Sequence, residues 1–212
     1  LPMKYDLLAI GNALVDIEVR VDDEFIEKNS LTKGGMTLSS VESQQMILNS
    51  LKKFSTKMSS GGSAANTVHG FSVLGGKTYY LGRVADDFHG QHYAKDMQSC
   101  GVAFSETRNG TSNTGTCVVL VTPDSERTML THLGASSSLH PDNVEEKIIE
   151  DSGMVYIEGY LWTSEETRNA AEKLATIAKN NKTPVAFTLS DAFVVNSFKD
   201  QIIKFIRSSV DI

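Results

Sequence analysis

The sequence predicts an α/β fold: a three-layer parallel sheet with helices on both faces, plus a small β-sheet lid. From His140 onward, short apolar runs alternate with helix-length amphipathic segments, the rhythm of parallel βαβ units. Two earlier stretches, about Ala13 to Leu38 and about Thr107 to Leu133, are instead half-polar, as strands with one wet face are. Sheets of that kind are expected to be antiparallel and peripheral. The predicted main α/β domain therefore takes residues 1–12, 39–106 and 134–212, and the lid takes 13–38 and 107–133. Such a lid would close over a ligand at the strand C-termini, where open α/β sheets bind ligands.

Each element has a local signal. Tyr5 to Ile10 is an apolar run that breaks at Gly11-Asn12, a buried strand. From Leu14 to Val21, Val15, Ile17, Val19 and Val21 share one face, while Leu14, Asp16, Glu18 and Arg20 share the other. Asp22 to Asn29 reads as a short helix, Lys33-Gly34-Gly35 as a turn, and Met36 to Leu38 as a brief strand. Ser40 caps a helix to about Lys53, with Met46, Ile47, Leu48 and Leu51 on its buried side. A helix from Ala64 to Leu74, a strand from Lys77 to Val84 and a helix from Phe88 to Cys100 follow, the last closed by Gly101. Gly115 to Thr122 and Arg127 to Leu133 form a hairpin, with Cys117, Val119 and Val121 on one face. Then come a helix from Pro141 to Asp151, a strand from Met154 to Ile157 and a helix from Glu165 to Asn180. A strand from Pro184 to Leu189 and a helix from Ser197 to Arg207, with Phe198, Ile202, Phe205 and Ile206 inward, complete the pattern. Val210 to Ile212 read as the start of a further strand.

Composition narrows the function classes. The 212 residues are 40% hydrophobic and 22% charged, as in an ordinary soluble globular protein. A formal charge of −6 with no basic run argues against a dedicated nucleic-acid binder. Cys100 and Cys117 are too few for a disulfide framework or a Cys-rich zinc site, and the five histidines show no metal spacing with them, so no metal ligands are assigned. No apolar run has membrane-spanning length and no signal-peptide pattern opens the chain, so no membrane association and a cytoplasmic location are expected. Leu1-Pro2 reads as a remnant ahead of a natural start at Met3.

The stretch SSGGSAANTVHGFSVLGGKTYYLGRVADDFHG, Ser59 to Gly90, holds the first candidate site. A Gly-Gly-Ser start brings backbone N–H groups to a helix's first turn without side-chain obstruction, which suits a small polar ligand. Asn66 lies one turn in, offering donors and an acceptor. The alternative is a plain loop-to-helix junction with Ser63 as N-cap. Asp16, on pattern alone, reads as a solvated side chain. Arg83 and Arg127 read either as charges near a substrate or as exposed partners of Asp86 and Glu126.

Several ordered motifs together resemble the ribokinase-like (PfkB) kinases: GNALVD (Gly11 to Asp16), GGSAAN (Gly61 to Asn66), LGGK (Leu74 to Lys77) and GRVADDFHG (Gly82 to Gly90). RTMLTHLGAS (Arg127 to Ser136) and EGYLW (Glu158 to Trp162) extend the likeness over essentially the whole chain. The resemblance implies phosphoryl transfer from ATP, with Mg2+, to the hydroxymethyl group of a sugar or nucleoside. It implies that Asp16 accepts hydrogen bonds from two sugar hydroxyls, and that Asn12, Gly62, Ser63 and Asn66 also contact the substrate. Ribokinases tend to carry an asparagine where Leu14 stands and a lysine where Ser63 stands, so the pattern is more similar to adenosine kinase-like members. Leu14 would then pack on a base, Ser63 would meet a base edge, and Tyr160, Leu161 and Trp162 would offer a stacking wall, with core packing the alternative for Trp162. Glu158 resembles acidic residues of sugar kinases at this strand end, which keeps ribose- or fructose-type substrates open.

The family's catalytic base and anion hole lie in a later DTxGAGD-like motif, and these residues contain none. Both are expected beyond Ile212, no catalytic residue is assigned, and the 212-residue chain by itself is expected to be inactive. GxGxxG and P-loop patterns are absent, which argues against dinucleotide oxidoreductases and P-loop enzymes. A non-catalytic ligand-binding module made of half a kinase is a further alternative. The resemblance leaves both a monomer and a lid-mediated homodimer open.

Overall fold

The computed structural model describes residues 3–105, 108–109 and 112–212. Leu1-Pro2 and the start of the second half-polar stretch at Thr107 lie outside the described residues. The elements run β1 (Leu7–Ile10), β2 (Leu14–Arg20), α1 (Asp23–Lys28), β3 (Met36–Leu38), α2 (Val41–Ser50), β4 (Thr56–Gly61), α3 (Ser63–Val73), β5 (Thr78–Leu81) and β6 (Val84–Ala85). They continue α4 (Phe88–Ser99), β7 (Val102–Phe104), β8 (Arg108–Asn109), β9 (Gly115–Val121), β10 (Arg127–His132), α5 (Glu146–Glu150), β11 (Val155–Glu158), α6 (Glu165–Asn180), β12 (Val185–Thr188) and α7 (Ala192–Ser209). Asp22, Ser40, Asp87 and Asp191 each accept a backbone N–H at the start of α1, α2, α4 and α7, the N-cap role of short polar side chains.

The first sheet is parallel throughout, in the order β12-β11-β1-β5-β7. Its two faces carry separate cores. Leu8 and Ile10 of β1 pack with Val155, Ile157 and Val185 against Ile149 of α5, Leu174 of α6 and Phe205 of α7. Leu7 and Ala9 point the other way, with Tyr80 and Phe104, onto Val68 of α3 and Tyr93 of α4. A strand buried on both faces reads as a continuous apolar run, which is why LLAI was legible. Val210 to Ile212 run beside β12, exchanging backbone hydrogen bonds with Val185 and Phe187, as their extended pattern predicts.

The second sheet, in the order β3-β10-β9-β2-β4, corrects three expectations. It is mixed rather than antiparallel: β2 pairs with β9, and β10 with β3, in parallel. These partners come from separate excursions of the chain, so crossovers join them. Its edge strand β4, expected within the main α/β domain, belongs to this sheet and carries no alternation signal in TKMSSG; Thr56 and Lys57 are exposed, as edge residues are. The third concerns α2, which lies over the outer face of this sheet, Ile47 and Leu51 packing on Val19, Val118, Leu120 and Leu130. Met46, expected inward, is 67% exposed, whereas Gln44 is buried. The Gln44 amide earns its place by donating to the Thr116 and Leu130 carbonyls (3.0 and 2.7 Å) and accepting from the Thr116 hydroxyl (2.7 Å).

Smaller corrections follow from local geometry. The strand expected over Lys77 to Val84 divides at Gly82-Arg83 into β5 and β6. The helix expected from Pro141 becomes a 3-10 turn, capped by His140, and the short α5, because Val144 between them is extended. In α7 a kink at Phe198 turns Val194 inward and leaves Ile206 38% exposed. Among the described residues no helix is long and apolar enough to cross a membrane.

Candidate functional site

A cleft of about 180 Å³ opens between the C-terminal ends of β1 and β11 and the inner face of the second sheet. Of the residues singled out from the sequence, Asn12, Leu14, Asp16, Gly62, Ser63, Asn66, Glu158 and Tyr160 line it. The sheet's period-2 alternation explains half of the convergence. Asp16, Cys117, Thr131 and Leu38 stand in register across β2, β9, β10 and β3, and all four face the cleft. Burial pushes the Asp16 pKa up to about 6, Arg127 opposing the shift and Glu18 adding to it.

The other half depends on the β4–α3 junction. Gly62 precedes α3 with φ +100°, a conformation glycine adopts without strain, and a Cβ there would overlap the Asn12 carbonyl oxygen. A Cβ on Gly61 would lie 2.6 Å from Asp16 Oδ2, so the bare backbone is what lets that carboxylate sit where it does. Ser63 is the first residue of α3 rather than its cap. The capping carboxylate comes instead from the end of β11. The Ala64 N–H and the Ser63 hydroxyl both donate to Glu158 Oε2 at 2.8 Å, and the Asn12 N–H donates to Oε1 at 3.3 Å. Glu158 is 1% exposed. Burial pushes its pKa up, and these three donors offset only part of that rise. Its oxygens are thus occupied by protein donors, unlike those of a ligand-facing acid.

Asn66 lies one helical turn beyond Ser63 and is exposed to the cleft. Asn12 is buried, and its Oδ1 has no partner among the described residues. Tyr160 is half-buried on the opposite wall, its hydroxyl pKa pushed up to about 12 mainly by burial. Leu161 and Trp162 do not join that wall. Trp162 is 1% exposed and packs on Phe187 and Phe205, the core alternative.

Sequence reasoning passed over Met36, Met129 and Leu133, which with Leu14 and Leu38 make the upper wall apolar. Of the two sequence readings for Arg127, the exposed pair with Glu126 does not form among the described residues, and Arg127 faces this cleft. Pairing the predicted hairpin residue by residue would have found it, since Arg127, Met129 and Thr131 fall opposite Val121, Val119 and Cys117. Arg83 reaches the Ser138 carbonyl.

A parallel sheet whose C-terminal edge is roofed by a second sheet, with a half-buried carboxylate on the roof and a helix N-terminus on the floor, defines a lidded α/β protein with a cleft of the kind that suits a small polar ligand. The chain belongs to the pfkB family of carbohydrate kinases, whose sequence model matches residues 36–212. It is 30% identical to adenosine kinase of Saccharomyces cerevisiae over 208 residues, which cover 94% of this chain and 60% of the yeast protein. Among solved structures, adenosine kinase from Sinorhizobium meliloti superposes with a TM-score of 0.92 at 38% identity, covering 98% of this chain and 64% of that one. A probable sugar kinase from Rhizobium etli superposes at 0.93 and 35% identity, covering 99% and 63%. The chain therefore spans less than two thirds of the length of these relatives.

Proposed function

We propose that the protein carrying this chain is an ATP-dependent kinase that phosphorylates the hydroxymethyl group of a nucleoside, with adenosine the favoured substrate. The observation that carries this reading is the mixed lining of the cleft. It offers acceptors, the Asp16 carboxylate and Asn12 Oδ1, beside apolar side chains, Leu14, Met36, Leu38, Met129 and Leu133. A ribose needs the first set and a base the second. The likeness to two adenosine kinases supports the same choice. The Rhizobium etli sugar kinase keeps a carbohydrate substrate as the second reading.

In this reading Asp16 accepts the ribose hydroxyls, Asn66 orients the sugar, and Tyr160 and Leu14 flank the base. Closure of the second sheet excludes water from the transfer. Family membership brings ATP and Mg2+ into the reading. Among the described residues no three His, Cys, Asp or Glu converge as a metal-ligand set, so these residues do not fit a protein-held ion and no step is derived through one. The base and the anion hole belong, in this proposal, to sequence beyond Ile212. The cover that α2 provides on the outer face of the second sheet supports a lid serving its own cleft rather than a partner's.

The test is a calorimetric panel of adenosine, inosine, ribose and fructose against the full-length protein. Adenosine should bind most tightly, and Asp16→Asn should weaken it by about tenfold or more through the lost charged acceptor. The 212-residue chain alone should phosphorylate none of them. Tighter binding of ribose or fructose, or an Asp16→Asn variant of unchanged affinity, would count against the reading.

A further inference from the structure

Glu158 is a buried carboxyl group that the proposed transfer does not use. Three donors end on it, and one of them, the Ser63 hydroxyl, belongs to a residue that also lines the cleft. A carboxylate oxygen accepts and does not donate, so the single Ser63 proton is turned away from the cleft and towards Glu158. The Asn12 and Ala64 N–H groups pin both carboxylate oxygens and leave the side chain no freedom to release Ser63. What Ser63 offers a ligand is therefore its lone pairs. The unpartnered Asn12 Oδ1 and the Asp16 carboxylate lie in the same cleft, so acceptors dominate this part of it.

We propose that Glu158 is a positioning residue that fixes the polarity of Ser63, making the cleft select a ligand that donates a hydrogen bond at that point. Resting on the nucleoside reading, the ligand class is a nucleoside with an amino or hydroxyl donor that meets Ser63. A group that only accepts there would face lone pairs and leave a desolvated acceptor unpaired, the kind of mismatch that gives binding sites their strongest discrimination.

The experiment compares adenosine with purine riboside, 2′-deoxyadenosine and 3′-deoxyadenosine, each analogue lacking one donor, by calorimetry on the full-length protein. In the wild type, losing a donor that the site uses should weaken binding about tenfold. In Glu158→Ala no acceptor is left for the Ser63 proton, which is then free to turn into the cleft. The penalty for one of the three analogues should then collapse towards unity while the others persist. Ser63→Ala keeps Glu158 and its backbone bonds and should erase the same penalty, which covers a Glu158→Ala variant that folds poorly. Equal weakening of all four ligands, or unchanged ratios in both variants, overturns the inference while leaving the nucleoside reading intact. A wild type that binds none of the four overturns that reading, and this inference with it.

Discussion

Burial beneath the second sheet pushes the pKa of Asp16 up to about 6, against the opposing charge of Arg127. A carboxyl whose folded pKa exceeds its unfolded value takes up its proton more readily when folded. Its contribution to stability is fully present below about pH 4 and is lost as pH rises through about 6. Asp16→Asn should therefore stabilise the free protein at pH 8, by on the order of 2 kcal/mol, and the difference should shrink below about pH 5. Thermal melts of both proteins across that range check it; a gap independent of pH would show that Asp16 is solvated after all. The sequence pattern put Asp16 on the polar face of its strand, but nothing in the pattern said whether that face was wet. The family resemblance implies a ligand-binding role for Asp16, and its place on the covered, cleft-lining face of the sheet supplies the burial. Glu158 shows the opposite limit: a strand-end acid reads as a ligand from sequence, and only its three donors show that it braces α3.

Elements with a strong period were legible, and those set by long-range pairing were not. The α6 helix spans Glu165–Asn180, as its stripe of Ala170, Ala171 and Leu174 requires. By contrast, α2 has two apolar candidates for every buried slot, and its orientation depends on hydrogen bonds that Gln44 makes to strands far away in sequence. Gln44→Ala should leave the Thr116 and Leu130 carbonyls short of a donor and cost about 2–3 kcal/mol, whereas Met46→Gln should change stability by less than about 0.5 kcal/mol. Urea denaturation of both variants measures the contrast. Comparable losses would mean that α2 is held by its apolar side alone. Strand β4 escaped notice for a related reason: an edge strand needs no alternation, and its glycine-rich end looked like a loop.

For the whole molecule, the sequence gives both layers their existence but not the joint between them. That joint is the run Ser60-Gly61-Gly62, where the edge of the second sheet passes straight into α3. Helix α4 holds it from below: the Ser60 N–H donates to Asp96 Oδ2 at 2.9 Å, and the Tyr93 hydroxyl donates to the Gly61 carbonyl at 3.0 Å. Neither contact has a signature in sequence, since both join residues more than 30 positions apart. Tyr93→Phe should cost only about 1 kcal/mol overall yet speed hydrogen exchange at Ser60 and Gly61, with the α6 amides unchanged. Uniformly faster exchange would mean that Tyr93 supports the core and not the joint. In the proposed complex, Asp16 holds the ligand on one side of this joint and Asn66 on the other. Departure then requires the two sides to part, and residence time becomes a clock set by the joint rather than by any single contact.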